Sequence, residues 1–447
     1  MCYNVQRICS EKLCFDLRKD TVMNALLKRI TAAFLAAAVI CTNFTACDSG
    51  SAKSKPVAVD ENGNVDMEVA LKYETDIDAL KAELEGREVD PSKPVSQHLN
   101  KKTLEVFNFL RETYGKKTLI GQQMMDKKCY EDDVYYKANE DLPAIKGFDM
   151  IFSNLKNGNN EQIDEAIKWH TESGGLVTFT WHWQVPRKIG NDALGKAFYT
   201  EEIEEFSLEK AVTPGTAEYE VIICDIDTIA IQLQRLEAAD VPVLWRPLHE
   251  ASGSWFWWGG SSRDEPLHEY YQKLWLMVFD RLENYHKLTN LIWIWNGQDE
   301  RHNVNANTYD IAGMDYYGSE DDHGSQLASY NKLSKMVPEG KMLALTECGG
   351  LPALEEMEKD GFIWLYSMLW YGSFTFLSGN NSNTPITDND GMAQINTNRM
   401  SEEFLKSYME SDKTITWKRL PSYENTKKEM PEQMALRYKL AEWSSKH

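Results

Sequence analysis

The sequence has few cysteines, and their spacing does not match a metal site. Eight cysteines occur in 447 residues, and after Cys47 only Cys129, Cys224 and Cys348 remain. Three is an odd number, and no pair has the short spacing of zinc ligands. We therefore expect no obligatory disulfide framework, no zinc or other metal site, and no cofactor.

Positive charge is also scarce. The 48 Lys and Arg residues stand against 69 Asp and Glu residues, which gives a formal net charge of -21, and no basic run exceeds two residues. A surface of this charge repels phosphate backbones, so nucleic acid is excluded as a partner. We expect a monomer.

The apolar stretch near the N-terminus is too short to span a bilayer comfortably. It runs over residues 30–40, after the basic pair Lys28-Arg29, and it is followed by Thr45-Ala46-Cys47 and a polar segment. This order resembles a bacterial lipoprotein signal in which Cys47 is lipidated. The pattern predicts an exported protein, anchored by lipid to a bacterial membrane at the cell surface or in the periplasm. A plain secretory signal or a single anchor helix is the alternative.

The domain boundaries follow from these features. Residues 1–47 form the signal region, and the mixed charge and three cysteines of residues 1–22 favour a translation start at Met23. Residues 48–66 begin with a small, polar segment typical of a flexible tether. Residues 67–447 then form the catalytic domain.

The rest of the chain predicts a (β/α)₈ TIM barrel with an N-terminal helical extension. Apolar residues three apart within residues 67–115 indicate helix, and eight β-like runs then alternate with amphipathic helical patterns. This alternation over about 250 residues is typical of the barrel. A doubly wound sheet is the competitor, but Ile120-Gly121-Gln122-Gln123 has only one glycine where a phosphate-binding turn needs several. The predicted strands are residues 118–122, 144–149, 176–183, 241–248, 291–295, 311–316, 342–346 and 363–370.

Polar and aromatic residues gather where these strands end, and two glutamates stand out. Glu250 ends Trp245-Arg246-Pro247-Leu248-His249-Glu250, and an aromatic run, Trp255-Phe256-Trp257-Trp258, follows within one loop. Arg246 and His249 can give this carboxylate charge and hydrogen-bond partners, and an aromatic wall can stack on sugars and raise its pKa. A structural Arg–Glu pair below a hydrophobic loop is the alternative interpretation.

Glu347 is the second glutamate. It ends the apolar run Met342 to Thr346 and precedes two glycines, which places it at a strand tip. Counted along the barrel, the two glutamates belong to the fourth and seventh strands, which lie across the barrel mouth. Two such carboxylates can flank one glycosidic bond.

The residues in these segments resemble glycoside hydrolase family 26, whose best-known members are β-mannanases. The segment Arg-Pro-Leu-His-Glu with Trp-Phe-Trp-Trp-Gly carries most of the likeness, and Gly-Met-Asp-Tyr-Tyr-Gly at the sixth strand adds to it. The resemblance implies a retaining endo-β-1,4-mannanase with Glu250 as acid/base and Glu347 as nucleophile. It also implies that His249 partners the acid/base, that the Tyr317 hydroxyl lies near the nucleophile, and that further residues line the sugar sites. Those further residues are His182, Trp255, Asp315 and Trp370.

Two positions depart from the family pattern. Tyr371 stands where these mannanases often have Arg after the eighth-strand Trp, and Cys348 replaces an aromatic residue after the nucleophile. A β-glucan or β-xylan therefore remains an alternative substrate to mannan. A surface glycan-binding lipoprotein without activity is the non-enzymatic alternative, and the presence of both carboxylates argues against it.

Overall fold

The computed structural model describes residues 54–155, 158–259, 267–379 and 381–422, together with residues 430, 435, 438 and 439. The predicted signal region and Cys47 lie outside these residues. Within them, no helix combines the length and the apolar character that crossing a bilayer requires.

Eight parallel strands in the described part of the chain form a closed barrel, which confirms the predicted fold class. Each strand pairs with its neighbours in chain order, and the last pairs with the first through four residue pairs from Leu119–Tyr366 to Gln122–Leu369. The strands are β1 (Thr118–Gln123), β2 (Ile145–Asp149), β3 (Leu176–Thr180), β4 (Val243–Arg246), β5 (Leu291–Trp295), β6 (Ile311–Tyr316), β7 (Met342–Cys348) and β8 (Tyr366–Leu369).

The apolar runs become strands because each is buried on both faces. In β5 the sequence Leu-Ile-Trp-Ile-Trp has five buried residues in a row. One face of such a strand points into the barrel and the other against the surrounding helices, so continuous apolar sequence is favoured over alternation.

Helices surround the barrel, and several begin at a residue whose side chain caps the helix. Asn100, Thr216 and Ser401 each accept a hydrogen bond from a backbone N–H of the first turn. The helices are α1 (Met67–Ala70), α2 (Ile77–Glu85), α3 (Lys101–Thr113), α4 (Tyr130–Asn139), α5 (Glu161–Lys168), α6 (Leu208–Ala211), α7 (Ala217–Ala238), α8 (Leu267–Asp280), α9 (Leu327–Met336), α10 (Leu354–Asp360) and α11 (Glu402–Glu410). One π-helical turn follows α5 at Trp169–Ser173 and another follows α8 at Arg281–Tyr285.

The N-terminal extension packs on the barrel through buried polar contacts. Arg281 forms an ion pair with Asp227 and donates to the Ala70 carbonyl at 3.0 Å. The Tyr73 hydroxyl donates to Asp280 at 2.8 Å, and the Val95 amide donates to Asp310 at 2.8 Å. These contacts attach the extension to the helices around the barrel and to Asp310, which directly precedes β6.

The described part of the predicted tether differs from a free linker. The Lys55 amide donates to the His286 carbonyl at 2.6 Å, and the Lys55 ammonium lies 3.6 Å from the centre of the Tyr285 ring. Val65 is buried and pairs with Val59. The segment therefore packs through its own apolar residues, such as Val65, and through the contact of Lys55 with the Tyr285 ring.

Long connections follow strands β3 and β8 at the carboxyl end of the barrel. The first carries a short antiparallel pair, Val185–Pro186 with Lys196–Ala197. The second folds back on itself through isolated bridges such as Phe376–Ile395. Both connections border the mouth of the barrel, where (β/α)₈ proteins place their active sites.

Candidate active site

Three carboxyl groups meet at the mouth of the barrel. Glu250 follows β4, Asp315 lies in β6 and Glu347 lies in β7. One carboxyl oxygen of each residue lies within 4.8 Å of one from each of the other two. The strand count from the sequence therefore placed Glu250 and Glu347 on the correct strands.

The backbone around Glu250 is held in an unusual conformation. Leu248 has a φ of 53° and Glu250 a φ of 51°, in the left-handed region that residues with a side chain rarely adopt. The Glu250 amide donates to the Asn296 side-chain oxygen at 3.0 Å and to the Asn296 carbonyl at 2.8 Å. These two bonds offset the local strain and fix where Glu250 points.

Glu347 is held by donors on both of its oxygens. The Arg246 guanidinium donates to one oxygen, and the Tyr317 hydroxyl donates to the other. Arg246 also donates to Asp315 at 3.0 Å. The guanidinium thus balances charge on two carboxylates and fixes the orientation of Glu347. The sequence correctly anticipated the contact between Tyr317 and Glu347.

Glu250 has a different environment. Burial raises its pKa, the negative charges of Asp315 and Glu347 raise it further, and the result is about 9. Arg246 and a hydrogen bond from the Trp255 indole oppose the rise without cancelling it. The indole nitrogen lies 2.9 Å from the Glu250 carboxyl oxygen. Glu250 is therefore protonated at neutral pH.

The prediction that Arg246 and His249 are hydrogen-bond partners of Glu250 is wrong in part. Arg246 bonds to Asp315 and Glu347 instead, and the His249 ring bonds to the Thr180 hydroxyl at 3.0 Å. Burial, Arg246 and His182 lower the pKa of His249 well below its usual range, so the ring is neutral. The left-handed conformation of Leu248 and Glu250 breaks the regular alternation of side chains. Arg246 therefore contacts β6 and β7, whereas His249 contacts β3.

Asp315 lies beneath the site and does not line its surface. Its side chain has no exposed area, and its oxygens accept hydrogen bonds from Arg246, Asn296 and Thr346. The expectation that Asp315 touches a sugar is therefore wrong for this arrangement, because neighbouring donors already occupy its carboxylate.

The aromatic run after Glu250 divides into an exposed and a buried part. Trp255 is 47% exposed, whereas Phe256, Trp257 and Trp258 are buried. The Trp257 indole donates to the Trp183 carbonyl, and the Trp258 indole donates to the His249 carbonyl. The predicted stacking wall is thus wrong for Trp257 and Trp258, which pack the loop against the barrel.

Trp370 lies between two polar aromatic neighbours. Its ring centre is 6.5 Å from that of His182 and 6.5 Å from that of Tyr317, and both neighbouring rings are steeply inclined to it. His182 forms a hydrogen bond with Asp149. Burial alone would lower the pKa of His182, but the charge of Asp149 and this hydrogen bond help to raise it above its usual value. Tyr371 packs beside Trp370 at 5.0 Å. Trp370 and its neighbours form a partly exposed aromatic surface next to the carboxyl groups.

Three functional neighbours were not singled out as site residues from the sequence. Asn296 anchors Glu250 and donates to both Asp315 and Thr346, and Asp149 orients His182. Asn296 and Asp149 do end predicted strands, and that position was the available signal. Thr346 had no distinguishing signal besides its place before Glu347.

The three carboxyl groups are the set that could coordinate a metal ion in the described part of the chain. The Arg246 guanidinium already lies between Asp315 and Glu347, and its fixed positive charge competes with a cation there. The donor set therefore fits an internal ion pair better than a metal. Cys129, Cys224 and Cys348 are free thiols.

Several curated proteins similar to this chain are named as mannan endo-1,4-β-mannosidases. Mannan endo-1,4-β-mannosidase B of Piromyces sp is 36% identical over 280 residues, which cover 60% of this chain and 47% of the relative. A protein of Thermothelomyces thermophilus is 33% identical over 308 residues, which cover 66% of this chain and 61% of that relative. The chain thus spans about half the length of the first of these relatives.

Solved structures match the fold as well. The Podospora anserina GH26-CBM35 β-(1,4)-mannanase superimposes with a TM-score of 0.61 at 28% identity, covering 76% of this chain and 70% of that one. The model of glycosyl hydrolase family 26 matches residues 95–388, well over half of the sequence. That match contains all eight barrel strands and both glutamates, so the chain belongs to glycosyl hydrolase family 26.

Proposed function

We propose that this protein is a retaining endo-β-1,4-mannanase. The observation that carries the proposal is the pair Glu250 and Glu347, which have carboxyl oxygens within 4.8 Å of each other and opposite environments. Retaining glycosidases keep their two carboxyl groups about 5–5.5 Å apart, whereas inverting enzymes need about 6.5–9.5 Å to admit a water molecule.

The environments divide the labour between the two residues. Glu347, oriented by Arg246 and Tyr317, is the nucleophile that attacks the anomeric carbon. Glu250 is protonated at neutral pH and gives its proton to the leaving oxygen as that bond breaks. A water molecule then attacks the glycosyl-enzyme ester, Glu250 takes its proton, and Glu347 is released as carboxylate.

Aromatic residues on either side of the two glutamates provide binding positions for the cleaved sugar and for the leaving group. Trp370 is the platform for the sugar whose bond is cleaved, with His182 and Tyr317 at its edges. Trp255 is exposed and bonds to Glu250, so it lies where the leaving group departs. Aromatic faces stack well on the apolar faces of sugar rings, which suits both positions.

Mannan is favoured as the substrate because the curated relatives are named as mannan endo-1,4-β-mannosidases. Tyr371, in place of an Arg, favours β-glucan or β-xylan as the second candidate. Incubating the purified protein with mannan, mixed-linkage β-glucan and xylan, and sizing the products over time, tests the proposal. Mixed mannooligosaccharides from the earliest times would support it. Activity on glucan or xylan alone would refute the mannan assignment, and inactivity on all three would favour a glycan-binding protein.

We also propose that the protein is exported and anchored to a bacterial membrane through lipid on Cys47. The support is the basic, apolar and small-residue order that ends at Cys47. One lipid-anchored monomer then presents the barrel to an insoluble or extended polysaccharide.

A further inference from the structure

The backbone carbonyl of Trp370 is held by two buried polar side chains. The Thr375 hydroxyl lies 2.8 Å from the Trp370 carbonyl oxygen, and the Gln122 amide nitrogen lies 3.4 Å from it. Thr375 and Gln122 have no exposed area, and the Thr375 hydroxyl also lies 3.1 Å from the Gln122 side-chain oxygen. Because water does not reach these groups, they keep their protein partners in the folded state.

The Gln122 side chain is itself fixed by two neighbours. Its amide nitrogen donates to the Gln123 carbonyl at 2.8 Å, and its oxygen accepts from the Tyr135 hydroxyl at 2.7 Å. Tyr135 lies in α4 and is also fully buried. These bonds set the orientation of the amide, so its nitrogen faces Trp370 and its oxygen faces Thr375.

The backbone on either side of this carbonyl is held as well. The Trp370 amide donates to the Cys348 carbonyl at 3.0 Å, and the Gly372 amide donates to the buried Glu131 carboxyl group at 3.3 Å. The Trp370 ring, in contrast, is partly exposed. A ring with an open face is not held by packing alone, so its position depends on how its backbone is held.

We propose that Thr375 and Gln122 are positioning residues, which hold the Trp370 ring against the sugar whose bond is cleaved. This inference rests on the proposed function, in which Trp370 is the platform for that sugar. Thr375 and Gln122 act through Trp370 and do not touch the sugar, since both are fully buried. A misplacement of about 1 Å in an active site can cost about 10²-fold in rate, so the loss of one support should be measurable.

Thr375→Val tests the inference, because valine keeps the branched shape and removes the hydroxyl. In this variant kcat/KM for an aryl β-1,4-mannobioside should fall about tenfold, whereas Thr375→Ser restores a hydroxyl and should stay within about twofold of the parent. Gln122→Leu removes the second donor and should lower kcat/KM in the same way. In a Trp370→Ala background, Thr375→Val should cost no more than about twofold, because the ring that it positions is absent.

Two kinetic results would overturn the inference. An equal fall for Thr375→Val with and without Trp370 would indicate a structural role that does not act through the ring. An unchanged kcat/KM in Thr375→Val would show that the carbonyl contact does not position the platform.

Thr308→Val is the matched control. Thr308 is also fully buried, and its hydroxyl donates to the Asn305 carbonyl at 2.7 Å, just before β6 at the amino end of the barrel. Its loss should lower the free energy of unfolding but leave kcat/KM within about twofold of the parent. A tenfold fall in this control would show that lost stability explains the Thr375→Val result, and it would overturn the inference.

A measurement without substrate separates this inference from the proposed function. The chain has 14 tryptophans, and in protein labelled with 5-fluorotryptophan the ¹⁹F signal of Trp370 is the one missing from Trp370→Phe. Thr375→Val should shift or broaden this signal, and Thr308→Val should not. If the parent cleaves none of mannan, β-glucan and xylan, the proposed enzymatic function is wrong, and the ¹⁹F signal still decides whether Thr375 positions Trp370. An unchanged signal in Thr375→Val would refute the positioning role.

Discussion

Replacing Trp255 by Phe should move the alkaline limb of the pH–activity profile to higher pH. The Trp255 indole donates to the Glu250 carboxyl group at 2.9 Å and so stabilises its ionised form. Phe keeps an aromatic surface but removes the donor, so the pKa of Glu250 should rise further. Because the proposed mechanism requires protonated Glu250, the variant should stay active at higher pH than the parent.

The size of the shift follows from the contact. A hydrogen bond to a charged group contributes about 1.5–3 kcal/mol, and the lower end applies here because Trp255 is 47% exposed and solvent screens the contact. One pKa unit corresponds to about 1.4 kcal/mol. We therefore expect the limb to move upward by about one unit.

The assay is kcat/KM for an aryl β-mannobioside between roughly pH 5 and pH 11, since this ratio reports the protonation of the free enzyme. Trp370→Phe is the control, because it also reduces an aromatic platform but has no hydrogen bond to Glu250. It should lower kcat/KM without moving the limb. A limb in Trp255→Phe that stays in place or moves to lower pH would refute the assignment of Glu250 as the acid.

Four further outcomes are expected. Glu250→Ala should still react with an activated aryl glycoside and be rescued by azide, whereas Glu347→Ala should lose turnover on every substrate; rescue of only Glu347→Ala, with retained product configuration, would reverse the two roles. Glu347→Gln removes a negative charge that raises the pKa of Glu250, so that pKa should fall in a ¹³C NMR titration of the labelled carboxyl group, and an unchanged pKa would contradict the coupling. Cys47→Ala should shift the protein from the membrane fraction to the soluble fraction, and undiminished membrane binding would exclude the lipid anchor. Asp227→Ala leaves Arg281 buried without its ion-pair partner and should cost about 3–5 kcal/mol in urea unfolding, while a loss below about 1 kcal/mol would show that the pair is dispensable.

The barrel was predictable because its strands are apolar on both faces and short. The predicted and observed limits of the strand Leu291–Trp295 coincide, and those of β3 and β4 differ because the predicted runs continue into loops. In those loops the apolar residues, such as Trp181 and Trp183, remain buried without forming strand pairs. Because these residues are buried, the apolar sequence pattern continues beyond the last residue that pairs in the strand.

The contacts around Glu250 were less predictable for a local reason. A regular strand would have placed Arg246 and His249 by a simple alternation, but the left-handed residues Leu248 and Glu250 break it. Nothing in Leu or Glu favours a positive φ, and the conformation depends on Asn296, which directly follows β5. The fate of Trp257 and Trp258 was hidden similarly, since buried indoles that donate to backbone carbonyls look the same in sequence as exposed platforms.

The position of Arg246 explains how two similar residues can act in opposite protonation states. One guanidinium serves Glu347 and Asp315, so Glu250 faces two carboxyl groups with a single compensating charge among the three. In the free enzyme this imbalance, added to burial, keeps the proton on Glu250. When Glu347 becomes an ester in the proposed glycosyl-enzyme, its negative charge disappears, and one cause of the raised pKa of Glu250 disappears with it. Glu250, which has given its proton to the leaving group, is then stable as a carboxylate. It can accept a proton from water, which the second step requires. The charge lost at Glu347 thus supports the change of role that the proposed mechanism assigns to Glu250.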